Sequence, residues 1–421
     1  MLLAFLLILP QMTQKNDSGA RHRPASPWRR KLLFAALYFS EGAPIGFIWF
    51  VIPVQLRVAG LPIEKITWLS AILVIPWTFK FLWAPIIDWA QNSRWTLRHW
   101  VAATQTCMGL TLLPLAWLDP ASDFSLIAAI LMLHAFAAAT QDVSIDALCI
   151  AATTRSDRGS YNGWMQVGML LGRAMMGGGM LALIRFTGQS GAVFILVVAI
   201  ASSMALLLTT RLPSTPVFNR PSSTSLHKKY VQVLLQPLTW WGVGFALVAG
   251  AAFKSFEVIY PLYLVDRGFE PETIGVFTAG PMIGSMVIGS ILGGWWSDRF
   301  GCRRLVGHAL IVIAGLIMLL AFYDRATGGQ VGMPLFALLV VIAVSIGVFT
   351  AASYALFMNL TKPDIAASQF SSFMGAVNGC ESWSVYVLGL LIAARGYSQG
   401  LVVMCMLSFF ALPILARLRE K

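Results

Sequence analysis

Stretches of roughly 20 apolar residues recur along the whole chain with short polar loops between them, and each can cross a hydrocarbon core of about 30 Å as a helix. In a bilayer every backbone N–H and C=O must find a partner inside the protein, so only helices and closed barrels span it. The apolar runs show no sustained two-residue alternation, which leaves helices. Composition agrees: of 421 residues, 57% are hydrophobic and 11% charged, against about 25% charged in soluble domains. A soluble protein so poor in charge would have no solvated surface.

The runs predict twelve spans: 32–56, 66–87, 98–118, 124–150, 161–184, 190–210, 238–264, 272–297, 304–322, 332–358, 366–394 and 398–416. The segment 211–237 is rich in Pro, Ser and basic residues and has six spans on either side, which marks a linker. Residues 1–31 form an N-terminal extension. Within it Met1–Gln11 is largely apolar, but Met1–Pro10 is too short to span and lacks a basic n-region and a small-residue cleavage site. It reads as an interfacial or disordered extension, or as an over-long start.

Basic residues decide the orientation. With the N-terminus inside, 21 of the 30 fall on the inner side and 6 on the outer, while Lys80, Arg173 and Lys254 lie within spans. Such a bias places both termini and the linker in the cytoplasm. It also accounts for the net charge of +12 without a nucleic-acid partner. The five cysteines lie far apart with no CxxC pair, so neither a disulfide framework nor a metal site is expected.

The halves echo each other. IPVQLRVAGLPIEKITWLSA (52–71) aligns without gaps on YPLYLVDRGFEPETIGVFTA (260–279), pairing Pro53 with Pro261, Gly60 with Gly268 and Glu64 with Glu272 at a spacing of 208. Pro, Gly and Glu agree in the loop, where an apolar bias does not force them. The expected fold is therefore all-α, with two pseudo-symmetric six-helix bundles, 32–210 and 238–421, arranged as parallel repeats. Alternating-access carriers are built this way.

At the end of the eighth span stands Gly294-Trp295-Trp296-Ser297-Asp298-Arg299-Phe300-Gly301-Cys302-Arg303-Arg304. It resembles the G-x-x-x-D-R-x-G-R-R loop of the major facilitator superfamily. Gly293 and Gly294 are expected to admit a neighbouring helix. Asp298 can cap a short helix or pair with an arginine, and Gly301 permits a tight turn. Arg299, Arg303 and Arg304 are basic residues of the loop, and the latter two hold it on the cytoplasmic side. Such a charge lock favours one gate state and breaks in the other. The matching first-half loop keeps Asp88 but lacks the glycine and the following arginine.

Two further motifs narrow the resemblance. Phe79-Lys80-Phe81-Leu82-Trp83-Ala84-Pro85-Ile86-Ile87-Asp88 is similar to the F-K-F-L-W-[AS]-P-L-x-D of the anhydromuropeptide permeases (AmpG-like). Ala139-Thr140-Gln141-Asp142-Val143-Ser144-Ile145-Asp146-Ala147 resembles their A-[ST]-Q-D-I-x-x-D-A, and Ala367-Ser368-Gln369-Phe370 their A-T-Q-F. The resemblance implies proton-driven import of cell-wall fragments across the bacterial inner membrane; acetyl-CoA transporters share parts of the pattern. The chain departs from it at Arg173, three residues beyond the family's arginine. It departs again at Glu381, where the permeases carry arginine, and at Trp89, which replaces the arginine after Asp88.

Eight ionisable residues fall inside spans: Glu41, Lys80, Asp142, Asp146, Arg173, Lys254, Glu257 and Glu381. Facing lipid, each costs a few kcal/mol, so they are expected to face the interior and to find partners. Structural ion pairs that merely hold helices together are the simplest reading. Asp142 and Asp146 share a helix face, with Lys80 at similar depth as their counter-ion. Lys254 and Glu257, three apart, can pair with each other. Glu41 has no opposite charge nearby in sequence, and a lone buried carboxylate can exchange a proton at working pH, an effect that a nearby cation such as Arg173 would oppose. Glu41, Glu257, Asp142 and Asp146 are thus the candidate proton carriers. Lys80, Arg173, Lys254, Gln141, Gln166, Tyr354 and Glu381 are candidate solute ligands, with Asn162, Asn359 and Asn378 as further hydrogen-bonding groups. Trp49, Trp77, Trp164 and Trp383 can stack on a sugar ring, and His134 can relay protons.

The function expected is secondary active transport, as a proton-coupled importer of a polar amphipathic solute such as an anhydromuropeptide. The same fold with another cargo, such as an acetyl-CoA-like anion, a sugar or an exported drug, is the alternative. A membrane enzyme or sensor is the reading from another class. No GxSxG, HExxH, Walker A or cofactor motif occurs, so neither enzymatic activity nor a cofactor is expected. The partners are the bilayer, a small solute and protons, and the expected state is a monomer.

Overall fold

The computed structural model describes residues 26–89, 95–120, 122–153, 158–212, 236–327, 332–361 and 366–418. Most of the expected extension and linker lies outside the described residues. Among those described, every regular element is helical. Nine helical stretches are long and apolar enough to cross a membrane. In the first half these include α1 (Pro27–Val58), α2 (Ile63–Leu82) and α4 (Phe124–Ala152). Between them α3 (Leu97–Leu112, extended by a tight turn Leu113–Ala116) is another expected span. It is not among the nine; its sequence carries Arg98, His99 and Gln105. The second half brings α7 (Pro237–Asp266), α8 (Pro271–Ser297), α9 (Cys302–Ala326) and α10 (Met333–Leu360).

The remaining two stretches, Gly163–Thr209 and Gln369–Arg417, are 47 and 49 residues long. Each is two helices, broken at Gly188 (φ 63°) and Gly396 (φ 79°). The break reverses the chain. α5 (158–187) climbs parallel to α1, with Gly168 against Ala35 and Gly172 against Phe39. α6 (189–209) then descends along α3, where Gln189 donates to the Leu115 carbonyl at 2.5 Å and Arg98 to that of Leu207 at 2.5 Å. In the second half α11 (366–395) starts beside the start of α7, where Gln369 donates to Thr239 Oγ1 at 2.8 Å. α12 (397–417) begins at the opposite end, where Tyr397 and Ser398 donate to Asp266 and Asp324 at 2.6 and 2.8 Å.

The 208-residue register reappears in the backbone. Gly60 (φ 83°) and Gly268 (φ 84°) make matching turns after α1 and α7, while Gly188 and Gly396 make them after α5 and α11. Only glycine takes this conformation without steric cost. All four turns lie on one face, opposite the ends that flank the linker; these are the far face and the linker face.

Local chemistry sets the ends. α1 begins at Pro27 rather than 32 because Ser26 Oγ accepts from Arg29 N and proline suits the first helical position. Inside, α1, α5 and α8 each relax into a π-turn, at Phe47–Val51, Ala174–Gly179 and Thr278–Met282. The π-turn of α5 packs on that of α1 and, across the seam between the halves, on that of α8. There Gly178, in the run Gly177-Gly178-Gly179, lies against Gly275 and Ala279, so small residues let the halves approach closely.

Candidate functional site

A cavity of about 440 Å³ lies on the seam, lined from the first half by α1, α2, α4 and α5 and from the second by α7, α10 and α11. It is shut on the far face. Arg57 and Asp266 join the ends of α1 and α7, and Arg185 and Glu272 pair from α5 to α8. Thr67 of α2 packs on Gly389 of α11, and Ser382 donates to the Ala71 carbonyl at 2.8 Å.

All eight charges expected in the interior line this cavity. In the first half Lys80 forms an ion pair with Asp142. Its position is set by a tight turn, Lys80–Leu82, that ends α2. Asp146, one turn further along α4, accepts from Tyr38 Oη at 2.5 Å. Tyr38 was not among the expected site residues, although it precedes Glu41 by one helical turn on the same face. Glu41 is 2% exposed, and its Oε2 has no hydrogen-bond partner among the described residues. Trp77 lines the cavity beside it, and Lys80, Asp142 and Asp146 are the charges around it. The cation acting on Glu41 is therefore Lys80 rather than Arg173.

In the second half Lys254 does not pair with Glu257. It reaches across to α11 and binds Glu381 at 3.0 Å, and Trp49 Nε1 from α1 donates to the other oxygen of Glu381 at 2.8 Å. The contact between α7 and α11 brings the Glu381 carboxylate within ion-pair distance of Lys254, while Glu257, on the lysine's own helix, stays beyond it. Trp49 and Trp77 meet edge to face, 6.1 Å apart, forming an aromatic wall. Gln166, Tyr354 and Asn378 also line the cavity.

Several expected ligands are elsewhere. Gln141 is fully buried and donates to Ser40 Oγ at 3.3 Å, in a polar cluster with Gln105 and Ser203. On a helix, adjacent residues point about 100° apart, so Gln141 turns away when Asp142 faces the cavity. His134 lies on that same buried face, 3.2 Å from Thr111 Oγ1 and 3.3 Å from the Met108 carbonyl, and is a packing residue. Trp164 packs on Trp28, Trp383 donates to the Leu247 carbonyl, and Asn359 donates to Cys302 Sγ. The side chain of Asn162 lies outside the described residues.

At the expected gate, Gly301 has φ 85°, as a tight turn requires. Arg303 ties the start of α9 to the end of α12 by donating to the carbonyls of Leu415 and Ala416 at 3.1 and 2.9 Å. Arg299 lies over Trp295 and Phe300, and Arg304 lines a surface groove with His308. The close approach falls to Gly293, not Gly294. A Cβ on Gly293 would lie 2.6 Å from the Val348 carbonyl oxygen, whereas one on Gly294 meets nothing within 4 Å. The side chains of Asp88 and Asp298 lie outside the described residues.

An ion-lined cavity between two helical halves, shut at one face, has the geometry of a carrier, and comparison with known proteins agrees. The chain is 24% identical over 394 residues to the anhydromuropeptide permease of Escherichia coli K12, covering 88% of this chain and 75% of that one. It is 25% identical over 393 residues to an uncharacterised Haemophilus influenzae protein, covering 88% and 90%. Among solved structures, a nucleoside transporter superposes with a TM-score of 0.72 at 14% identity, covering 93% of this chain and 99% of that one. A D-xylose–proton symporter does so with 0.72 at 12% identity, covering 94% and 99%. The family model described as Major Facilitator Superfamily matches residues 34–380 and 245–421, so the chain belongs to the Major Facilitator Superfamily and is a membrane transporter, not an enzyme.

Proposed function

We propose that the chain is a proton-coupled secondary transporter that imports a polar, amphipathic solute of the anhydromuropeptide type. The observation that carries this reading is Glu41: a buried carboxylate on the cavity wall, with one oxygen unpartnered and its neighbouring lysine already engaged by Asp142. Such a group can take a proton when the cavity faces one side and release it when the cavity faces the other. The Trp49–Trp77 wall suits a sugar ring, and Gln166, Tyr354 and Asn378 suit its hydroxyl and amide groups. The similarity to a muropeptide permease and the matching motifs support this cargo.

In this reading the protein is a monomer in the bacterial inner membrane. The basic bias puts the linker face in the cytoplasm, with extension 1–31 and linker 211–237 on that side of bundles 32–210 and 238–421. Closure at the far face then corresponds to an inward-facing state. The loop from Asp298 to Arg304, with Asp88 as its first-half counterpart, acts as the gate.

The test is uptake of labelled N-acetylglucosaminyl-anhydromuramyl disaccharide into proteoliposomes. Accumulation that needs a pH gradient and collapses with a protonophore is expected. Uptake of other solutes but not the disaccharide would remove the cargo, and uptake indifferent to the gradient would remove the coupling.

A further inference from the structure

Two of the three cations at the cavity are already held: Lys80 by Asp142 and Lys254 by Glu381. Arg173 is different. It makes no ion pair or hydrogen bond among the described residues, and its guanidinium lies 6.0 Å from the ring centre of Phe50. Glu257, from α7 in the other half, likewise has no direct partner among them. Both side chains line the main cavity, and both line a small void beside it with Tyr260 and Met286. They are near enough to act on each other's charge, yet more than an ion-pair distance apart.

The repeat supplies an internal comparison. At the register of 208, Arg173 falls on Glu381 and Glu257 falls on Trp49. The Trp49–Glu381 pair crosses the seam and is closed by a 2.8 Å hydrogen bond. The Glu257–Arg173 pair crosses the same seam and is left open.

We propose that Arg173 and Glu257 form the anchoring site for the solute: the guanidinium takes a carboxylate on the solute, and Glu257 accepts a bond from a hydroxyl or amide N–H beside that carboxylate. A guanidinium offers a rigid fork that matches two carboxylate oxygens. Lys80 or Lys254 could receive a solute anion only by giving up a buried partner, and such breakage is costly. The inference rests on the transporter reading and narrows its cargo to carboxylates with a neighbouring donor.

The experiment measures displacement binding to purified full-length protein in detergent. The probes are acid and carboxamide forms of three solutes: the anhydromuramyl disaccharide, N-acetylmuramic acid and an N-acyl amino acid. Wild-type protein is expected to prefer the acid of at least one pair by about tenfold or more, the worth of a charged hydrogen bond. Arg173→Gln should erase that preference while keeping the amide affinity, which also shows the variant is folded; Arg173→Lys should restore part of it. If the disaccharide pair does not bind but another acid binds through Arg173, the muropeptide cargo falls and the anchoring site stands. The inference is overturned if no acid binds, if acid and amide bind alike, or if the preference survives Arg173→Gln.

Discussion

Arg57 at the end of α1 and Asp266 at the end of α7 clasp the two halves together through parallel bonds, Nε to Oδ1 at 2.5 Å and Nη2 to Oδ2 at 2.7 Å. Tyr397 donates to the same carboxylate at 2.6 Å. The partners are 26% and 21% exposed, so solvent screens the pair and it contributes about 1 kcal/mol or less. That is still enough to move a conformational equilibrium severalfold. Because the clasp joins the halves at the closed face, Arg57→Ala should favour opening there. Maleimide labelling of Val258→Cys from the far side, in a background without other cysteines, should rise, and the charge-swapped pair Arg57→Asp with Asp266→Arg should lower it again. Unchanged labelling in Arg57→Ala would show that the clasp does not bias the gate.

Adjacent glycines at the end of α8 should respond in opposite ways. Gly293→Ala forces a methyl group towards the Val348 backbone and should cost about 1–3 kcal/mol. Gly294→Ala meets open space and should leave thermal unfolding in detergent unchanged. Equal effects of the two substitutions would mean that α8 and α10 do not pack as described.

The Lys80–Asp142 pair should behave as a partly buried pair does, its side chains being 26% and 9% exposed. Lys80→Met alone leaves Asp142 uncompensated at the cavity wall and is expected to cost about 1–3 kcal/mol. Lys80→Met with Asp142→Leu should regain much of the thermal stability without regaining transport. A double variant no more stable than the single one would show that the pair contributes through something other than its charges.

The spans were legible because lipid imposes apolar runs, and the duplication because its 208-residue echo includes loop residues that an apolar bias does not force; the echo returned as paired positive-φ glycines. Lys80 and Asp142 were legible from their common depth. Lys254 was not, because its choice of Glu381 over Glu257 depends on how closely α7 and α11 approach. Gln141 was misassigned although a signal existed: 134, 138, 141, 145 and 148 form one helical face, and all five are at most 1% exposed. The open Arg173–Glu257 pair needed the structure, since it is defined by a gap.

The central claim, that proton exchange at Glu41 drives the solute cycle, is tested most directly by Glu41→Gln in proteoliposomes. Solute accumulation under an imposed pH gradient and solute-for-solute exchange without one are measured on the same preparation. The glutamine cannot carry a proton but keeps the shape of the wall, and exchange needs no net proton movement. Gradient-driven accumulation should therefore be lost while exchange continues. A Glu41→Gln carrier that still accumulates solute against its gradient contradicts the claim, and if Glu257→Gln then loses accumulation, the coupling carboxylate is on α7 instead.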